Sequence, residues 1–177
     1  MRGSAHDTHP YRLSIEQGGL RVEPQAIRPG TAPLEKGALS GVSVLLVEDF
    51  EDARETAALV LEQAGARVLG VADAREAMSA IRAQVPDAIV CDMGLPGEDG
   101  ASFMEKVRAL DGPAARVPAV AFTAWGQAHD RERAQKAGFQ EHLLKPVEPS
   151  VLVDTVARLT GRRGPGAGAQ APASTRS

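Results

Sequence analysis

The sequence has very little cysteine and few aromatic residues. Cys91 is the single cysteine among 177 residues, and only 3% of the residues are Phe, Trp or Tyr. One cysteine cannot form an internal disulfide framework or a multi-cysteine zinc site. Its apolar neighbours, Ile89 and Val90, indicate that Cys91 is a small core residue.

Long apolar runs are also absent. No stretch of the sequence approaches the roughly 20 consecutive apolar residues that a membrane span requires. The amino terminus lacks the apolar segment of a secretory signal peptide. We therefore expect a soluble, cytoplasmic protein with no membrane partner.

Positive charge is scarce in the central part of the chain. Residues 41–160 contain 19 Asp and Glu against 12 Lys and Arg, which gives a net charge of −7. Residues 1–40 carry +1 and residues 161–177 carry +3, for a total of −3. An acidic region repels nucleic-acid phosphates, and the sequence contains no basic recognition helix. Both features disfavour direct binding to nucleic acid.

Composition divides the chain into three parts. Residues 1–40 are rich in Pro and Gly with little periodic pattern, which predicts a mostly irregular extension, with a short strand near residues 11–15. Residues 161–177 contain Gly, Ala and Pro but no large apolar residue, which predicts a disordered tail. Residues 41–160 have the apolar periodicity of a folded domain.

This central domain consists of successive strand and helix patterns. The predicted strands are "VSVLLVE", "RVLGVA", "DAIVCD", "VPAVAFT" and "FQEHLLK", and each precedes a helical pattern. Such alternation indicates a parallel sheet with helices on both faces. Right-handed crossovers then favour a flavodoxin-like, doubly wound α/β fold with strand order 2-1-3-4-5, counted within this domain.

Acidic residues follow two of these strands. Glu48 and Asp49 stand at the end of the first strand, and Asp92 ends the third. In the predicted order these strands are neighbours at the switch point of the sheet, so the three acids converge in one crevice. Like charges destabilise one another unless a cation lies among them. Oxygen ligands with room for water and phosphate predict Mg²⁺, with Mn²⁺ as a substitute.

A hydroxyl and an ammonium are predicted at the same edge of the sheet. Thr123 ends the fourth strand and Lys145 ends the fifth. Both groups suit the oxygens of a phosphoryl group, and Asp92 is then the predicted nucleophile that becomes an aspartyl phosphate. Each residue alone also has an ordinary explanation as a helix start, a turn, a helix cap or a solvated lysine. Their shared position at strand ends favours the functional interpretation.

Four segments resemble the receiver domain of two-component response regulators. They are "LLVEDFEDARE", "AIVCDMGLPGEDG", "AFTAWG" and "HLLKPVEP", and the resemblance covers residues 41–160. It implies that Asp92 accepts a phosphoryl group from phosphohistidine on a sensor histidine kinase or a phosphotransfer protein. The domain is then a phosphoacceptor in signal transduction, and its only catalysis is its own phosphoryl transfer.

The resemblance also implies a role for each residue of the site. The implied ligands of Mg²⁺ are Glu48, Asp49, Asp92 and the backbone carbonyl of Gly94. Thr123 and Lys145 are implied to bind the phosphoryl oxygens, and Pro146 is implied to follow a cis peptide bond.

The sequence departs from the receiver pattern near Lys145. His142 stands where the family usually has Tyr or Phe as a switch residue, so it is either a switch candidate or an inert or pH-sensitive histidine. Glu48 occupies a position where Asp is commoner. Trp125 has three interpretations: it shields the phosphoryl group, it contacts a partner, or it is a partly buried surface aromatic.

The sequence predicts a stand-alone receiver, because no output domain follows the fifth helix. We expect it to signal through a phosphorylation-dependent protein-binding face formed by the fourth helix, the fifth strand and the fifth helix, with homodimerisation through that face left open. One alternative is a phosphate sink or docking receiver without a switched output. Another is a metal-dependent phosphohydrolase, which needs a second Asp two positions after Asp92, where this chain has Gly94.

Overall fold

The computed structural model describes residues 11–16, 19–24, 37–124 and 128–162, with side chains in residues 37–124 and 131–162. The strands are β1 (Tyr11–Glu16), β2 (Gly19–Pro24), β3 (Ser43–Val47), β4 (Arg67–Val71), β5 (Ala88–Asp92), β6 (Ala119–Thr123) and β7 (Glu141–Leu144). The helices are α1 (Glu51–Gln63), α2 (Ala74–Ala83), α3 (Gly100–Arg108), α4 (Ala128–Ala137) and α5 (Pro149–Leu159), with a 3-10 helix at Gly112–Arg116. Trp125 and residues 163–177, which include most of the predicted tail, lie outside the described residues.

The amino-terminal part contains a pair of antiparallel strands. In this pair Tyr11 of β1 lies opposite Pro24 of β2, and Glu16 lies opposite Gly19. The pair belongs to a compact unit of residues 1–32, and residues 33–177 form a second unit. A strand near residues 11–15 was predicted, but β2 was missed. In β2 the alternation of apolar and polar residues extends over too few positions to identify a strand. Its pairing with β1 is made by backbone hydrogen-bonding groups, which the pattern of side chains does not reveal.

Strands β3 to β7 form a parallel sheet in the order β4-β3-β5-β6-β7. Counted from β3, this is the predicted order 2-1-3-4-5, and the flavodoxin-like fold is confirmed. Val44 of β3 lies opposite Val68 of β4 on one side and Ala88 of β5 on the other. This register brings the carboxyl ends of β3 and β5 side by side at one edge of the sheet.

Apolar layers cover both faces of this sheet, because alternate strand residues point in opposite directions. The layer under α2, α3 and α4 contains Phe103, Met104 and Cys91, all fully buried. The layer under α1 and α5 contains Leu61 and Val156, also fully buried. Cys91 is therefore the core residue that the sequence predicted. Within the described part of the chain, no helix has the length and apolar character needed to cross a membrane.

Arg108 joins the carboxyl ends of α3 and α4. Its Nε and Nη2 donate to the backbone oxygen of Gly138, at 3.1 and 2.8 Å, and its Nη1 donates to the oxygen of Ala115 at 3.0 Å. Burial lowers the pKa of Arg108 from its ordinary value. At the amino end of α3, Asp99 accepts a hydrogen bond from Ser102 N and pairs with Arg133, in the middle of α4, at 2.7 Å.

Asp87 and Ser43 connect the amino ends of β3 and β5. A carboxylate oxygen of Asp87 accepts hydrogen bonds from both the backbone N and the hydroxyl of Ser43, each at 2.7 Å. These hydrogen bonds lower the pKa of Asp87 below its ordinary value. They fix the relative register of the two strands that carry the acidic residues.

We expect Asp87→Ala to lower the free energy of unfolding by about 1 kcal/mol at pH 7, a modest value because Asp87 is exposed. The pKa of Asp87 is lower in the folded state than in the unfolded state. Its contribution to stability is therefore fully present at pH values above the unfolded pKa, and it is lost as the pH falls through the folded pKa. The difference between wild type and variant should therefore shrink below about pH 4. Urea unfolding at pH 7 and pH 3 measures it.

The matched control is Asp111→Ala, at an exposed aspartate whose side chain makes no capping hydrogen bond. This variant should differ little from wild type at either pH. A loss for Asp87→Ala that stays the same from pH 7 to pH 3 would contradict the ionic contribution of Asp87.

Candidate functional site

Three carboxylates meet at the carboxyl edge of the parallel sheet. Glu48 and Asp49 follow β3, and Asp92 ends β5. Each residue has a carboxylate oxygen within 4.8 Å of the other two. Glu48 is 2% exposed and Asp92 is 8% exposed, whereas Asp49 is open to solvent. The convergence that the strand order predicted is present, and Asp49 lies on its solvent side.

Lys145 supplies positive charge to this cluster. It follows β7 directly, and its Nζ lies 2.5 Å from Glu48 Oε2 and 3.4 Å from Asp92 Oδ1. The same ammonium lies 5.9 Å from the centre of the Phe122 ring. Its backbone N–H donates to the oxygen of Thr123 at 2.8 Å, which holds the ends of β6 and β7 together. Sequence reasoning placed Lys145 at this edge but missed its ion pair with Glu48.

The electrostatics of the cluster favour a further cation. Burial raises the pKa of Glu48, the hydrogen bond and charge of Lys145 oppose that rise, and the charge of Asp92 adds to it. The Lys145 ammonium alone leaves a net negative charge among the three carboxylates. Oxygen donors of this kind suit a hard divalent ion such as Mg²⁺, so the residues present fit the predicted metal.

Thr123 and Gly94 complete the surroundings of Asp92. Thr123 is 4% exposed at the end of β6, the strand that pairs with β5. A Cβ atom on Gly94 would lie 3.6 and 3.9 Å from the two carboxylate oxygens of Asp92, so the loop after β5 passes beside this carboxylate. The peptide bond between Lys145 and Pro146 is cis, as predicted.

His142 lies within β7, opposite Ala121 of β6, and is half-buried. Together with Arg131 and Gln135 of α4 it lines a pocket between this helix and the sheet. The structure therefore places the switch candidate on the face of the sheet that α4 covers. Its role as a switch stays a prediction.

Gly100 and Arg54 were missed by sequence reasoning. A Cβ atom on Gly100 would lie 2.3 Å from the backbone oxygen of Asp92 and 3.0 Å from the Cα of Met93, so only glycine allows α3 to begin this close to the site. Arg54 of α1 donates from Nη1 to the backbone oxygen of Glu48 at 2.7 Å. The sequence signal for Arg54 is its position one helical turn after the acidic pair, which alone indicates no particular contact.

Comparison with known proteins identifies the family of this site. The family model described as the response regulator receiver domain matches residues 44–157. This α/β domain, with its acidic cluster at the sheet edge, therefore belongs to the response regulator receiver family. Members of this family are signalling phosphoacceptor domains of two-component systems.

Two curated proteins illustrate the sequence similarity. An uncharacterized 14.6 kDa protein from the sodA1 3′ region of Leptolyngbya boryana is 35% identical over 118 residues, which are 67% of this chain and 89% of that protein. The phosphate regulon transcriptional regulatory protein PhoB of Escherichia coli is 32% identical over 122 residues, 69% of this chain. The match covers 53% of PhoB, so this chain corresponds to about half the length of that regulator.

Solved structures show the same fold. A putative response regulator from Chloroflexus aurantiacus has a TM-score of 0.64 at 34% identity, over 68% of this chain and 98% of that one. The receiver domain of a sensor histidine kinase from Pseudomonas aeruginosa has a TM-score of 0.64 at 35% identity, over 69% of this chain and 99% of that one. A magnesium ion is coordinated in the active site cleft of the latter structure.

We expect Gly100→Ala to lower the free energy of unfolding by about 1 to 3 kcal/mol, because its Cβ would overlap backbone atoms of Asp92 and Met93 that have no room to move. Gly94→Ala is the matched control within the same loop. Its Cβ would make ordinary contacts at 3.6 Å or more, so the change should stay below about 0.5 kcal/mol. Urea unfolding measures both, and equal stability of the two variants would contradict the close approach at Gly100.

Proposed function

We propose that this chain acts as a receiver that accepts a phosphoryl group on Asp92 from a sensor histidine kinase or phosphotransfer protein in the cytoplasm. The observation that carries this proposal is the meeting of Glu48, Asp49 and Asp92 with the Lys145 ammonium at one edge of the sheet. These residues come from three remote segments of the chain. We take residues 41–160 as the receiver and residues 1–40 and 161–177 as its extensions.

Asp92 suits the role of nucleophile. Its carboxylate lies at the end of a buried strand and faces the Lys145 ammonium at 3.4 Å. In the transfer, an oxygen of Asp92 forms a bond to phosphorus, the bond from phosphorus to the donor imidazole nitrogen breaks, and the electron pair stays on that nitrogen. Lys145 and the Thr123 hydroxyl then bind the phosphoryl oxygens as charged and neutral hydrogen-bond donors.

The implied metal is Mg²⁺, with Mn²⁺ as a substitute. Asp49 and Asp92 would hold it by carboxylate oxygens, together with Glu48 and the backbone carbonyl of Gly94. When bound, it supplies positive charge that offsets the negative charge of the carboxylates and of the phosphoryl group. The magnesium ion in the cleft of the Pseudomonas aeruginosa receiver domain supports this assignment.

The signalling output is proposed to be a face formed by α4, β7 and α5. Leu144 of β7 and Val151 of α5 are 51% and 44% exposed, and Arg131 and Lys136 of α4 are also exposed. An aspartyl phosphate draws on the Thr123 hydroxyl at the end of β6, the strand adjacent to β7. Phosphorylation therefore alters the conformation of this face through β6. A partner protein or a second copy of the chain binds the altered face.

The residue two positions after Asp92 argues against a metal-dependent phosphohydrolase. Gly94 occupies the place of the second acid that such enzymes use, and it brings no side chain to the site. A phosphate sink or docking receiver differs from a signalling receiver in the lifetime of the phosphorylated form and in the response of the α4, β7 and α5 face.

The acceptor role is tested with acetyl phosphate and Mg²⁺, using intact-protein mass spectrometry to detect the added phosphoryl group. Wild type should gain one phosphoryl group, because the Asp92 oxygen attacks phosphorus and acetate leaves with the electron pair. Asp92→Asn should gain none, since its amide is a poor nucleophile.

Asp111→Asn is the matched control, because it makes the same chemical change at an exposed aspartate outside the site. It should label as wild type does. Labelling that persists in Asp92→Asn would refute the assignment of Asp92 as the acceptor. Continuous hydrolysis of acetyl phosphate by wild type, at a rate typical of enzymes, would favour the phosphohydrolase alternative.

The switch is tested with Thr123→Ala. This variant keeps Asp92 and Lys145, so it should still accept the phosphoryl group, but it should lose most of the structural response because the hydroxyl that contacts the phosphoryl group is gone. Amide chemical shifts of α4 and β7, recorded before and after phosphorylation, measure the response. A full response in Thr123→Ala would contradict the proposed switch.

His142→Ala and His142→Phe decide the part played by His142. If the ring acts as the switch aromatic, the alanine variant loses the shift changes in β7 and the phenylalanine variant restores them. Equal responses in wild type and both variants would show that His142 is inert.

A further inference from the structure

Arg54 makes hydrogen bonds to the backbone of the acidic pair and of the residue that follows it. Its Nη1 donates to the oxygen of Glu48 at 2.7 Å and lies 3.4 Å from the oxygen of Asp49. Its own backbone N–H donates to the oxygen of Phe50 at 2.9 Å. Three consecutive carbonyl oxygens are thus held by donors of a single residue.

The side chain of Arg54 reaches these oxygens across β4. A Cβ atom on Gly70 of β4 would lie 3.2 Å from Cγ and 3.3 Å from Cδ of Arg54, so the methylene groups of the arginine lie directly over this glycine. Arg54 is half-buried, which limits the number of conformations open to it. The guanidinium is therefore held in place by the packing of its own stem.

The position of the backbone at residues 48–50 decides where the two carboxylates point. Glu48 N donates to the oxygen of Val71 at 3.0 Å, and this is the last ladder contact before the chain leaves the sheet. Beyond that point, the hydrogen bonds from Arg54 hold the backbone carbonyls of Glu48 and Asp49 and so fix the directions in which their side chains leave the backbone. Partners that orient metal ligands in this way affect metal affinity although they never contact the metal.

We propose that Arg54 is a positioning residue for the divalent metal, which sets the directions of Glu48 and Asp49 by holding their backbone carbonyls. This inference rests on the proposed Mg²⁺ site. It adds a residue on α1 that contacts neither the metal nor the phosphoryl group.

Charge and position have opposite consequences at Arg54. A guanidinium beside the acidic pair opposes the binding of another cation, so a role through charge alone predicts tighter Mg²⁺ binding in Arg54→Ala and no change in Arg54→Lys. A positioning role predicts weaker binding in both variants, because the lysine ammonium keeps the charge but lacks the planar guanidinium that reaches both carbonyls. Whether Mg²⁺ affinity rises or falls in Arg54→Ala therefore distinguishes a role through charge from a positioning role.

The experiment is a calorimetric titration of the full chain with MgCl₂, without any phosphoryl donor. Arg54→Ala should weaken Mg²⁺ binding about tenfold, as expected for the loss of a residue that orients metal ligands. Arg54→Lys should weaken it in the same direction. Arg75→Ala, which removes an exposed arginine from α2, is the matched control and should bind as wild type does.

Urea unfolding in the absence of Mg²⁺ distinguishes positioning from a purely structural role. Lower stability with unchanged Mg²⁺ affinity in both Arg54 variants would overturn the inference, and so would tighter binding in Arg54→Ala. If wild type itself binds no Mg²⁺, the proposed metal site fails, whereas normal binding by wild type and by both Arg54 variants overturns the role of Arg54 alone.

Discussion

The carboxyl edge of the sheet brings together negative charges that must be balanced for the domain to fold. Glu48 and Asp92 are carboxylates removed from water, and burying such groups without a partner is strongly unfavourable. Lys145 meets both of them, but its charge equals only one of theirs. Negative charge at this edge therefore remains uncompensated by the protein, and the proposed Mg²⁺ would offset it.

This balance requires accurate placement of groups that are far apart in sequence. The parallel register of β3 with β5 aligns Glu48 and Asp92, and the backbone bond between Lys145 and Thr123 places the ammonium opposite them. The apolar layers on the two faces hold the strands in that register. Function at the edge thus depends on packing in the interior, because a shift of one residue along a strand would turn its side chains to the opposite face.

Much of this arrangement could be predicted from the chain alone. Short apolar strands alternating with helical patterns indicate a parallel sheet, and right-handed crossovers restrict the strand order to a few arrangements, of which the flavodoxin-like one fits five strands. Once the order is known, the convergence of Glu48, Asp49 and Asp92 follows from topology. The burial of Cys91 followed from its apolar neighbours.

Contacts that depend on side-chain reach could not be predicted in this way. The ion pair between Glu48 and Lys145 depends on the extra methylene of glutamate and on the direction in which the lysine leaves β7. The contact of Arg54 with the backbone depends on Gly70 of another strand, and the closeness of Gly100 to Asp92 depends on how α3 begins. Neither periodicity nor motif spacing contains these distances, because they arise from packing between elements.

The Arg108 contacts also constrain how α4 can move. Three hydrogen bonds from a half-buried guanidinium tie the carboxyl end of this helix, at Gly138, to α3 and to Ala115. Between that end and the amino end of α4, Arg133 in the middle of the helix pairs with Asp99 through a partly exposed contact. A displacement of α4 that keeps the Arg108 contacts intact is a pivot about Gly138, with the smallest travel at the carboxyl end of the helix and the largest at its amino end.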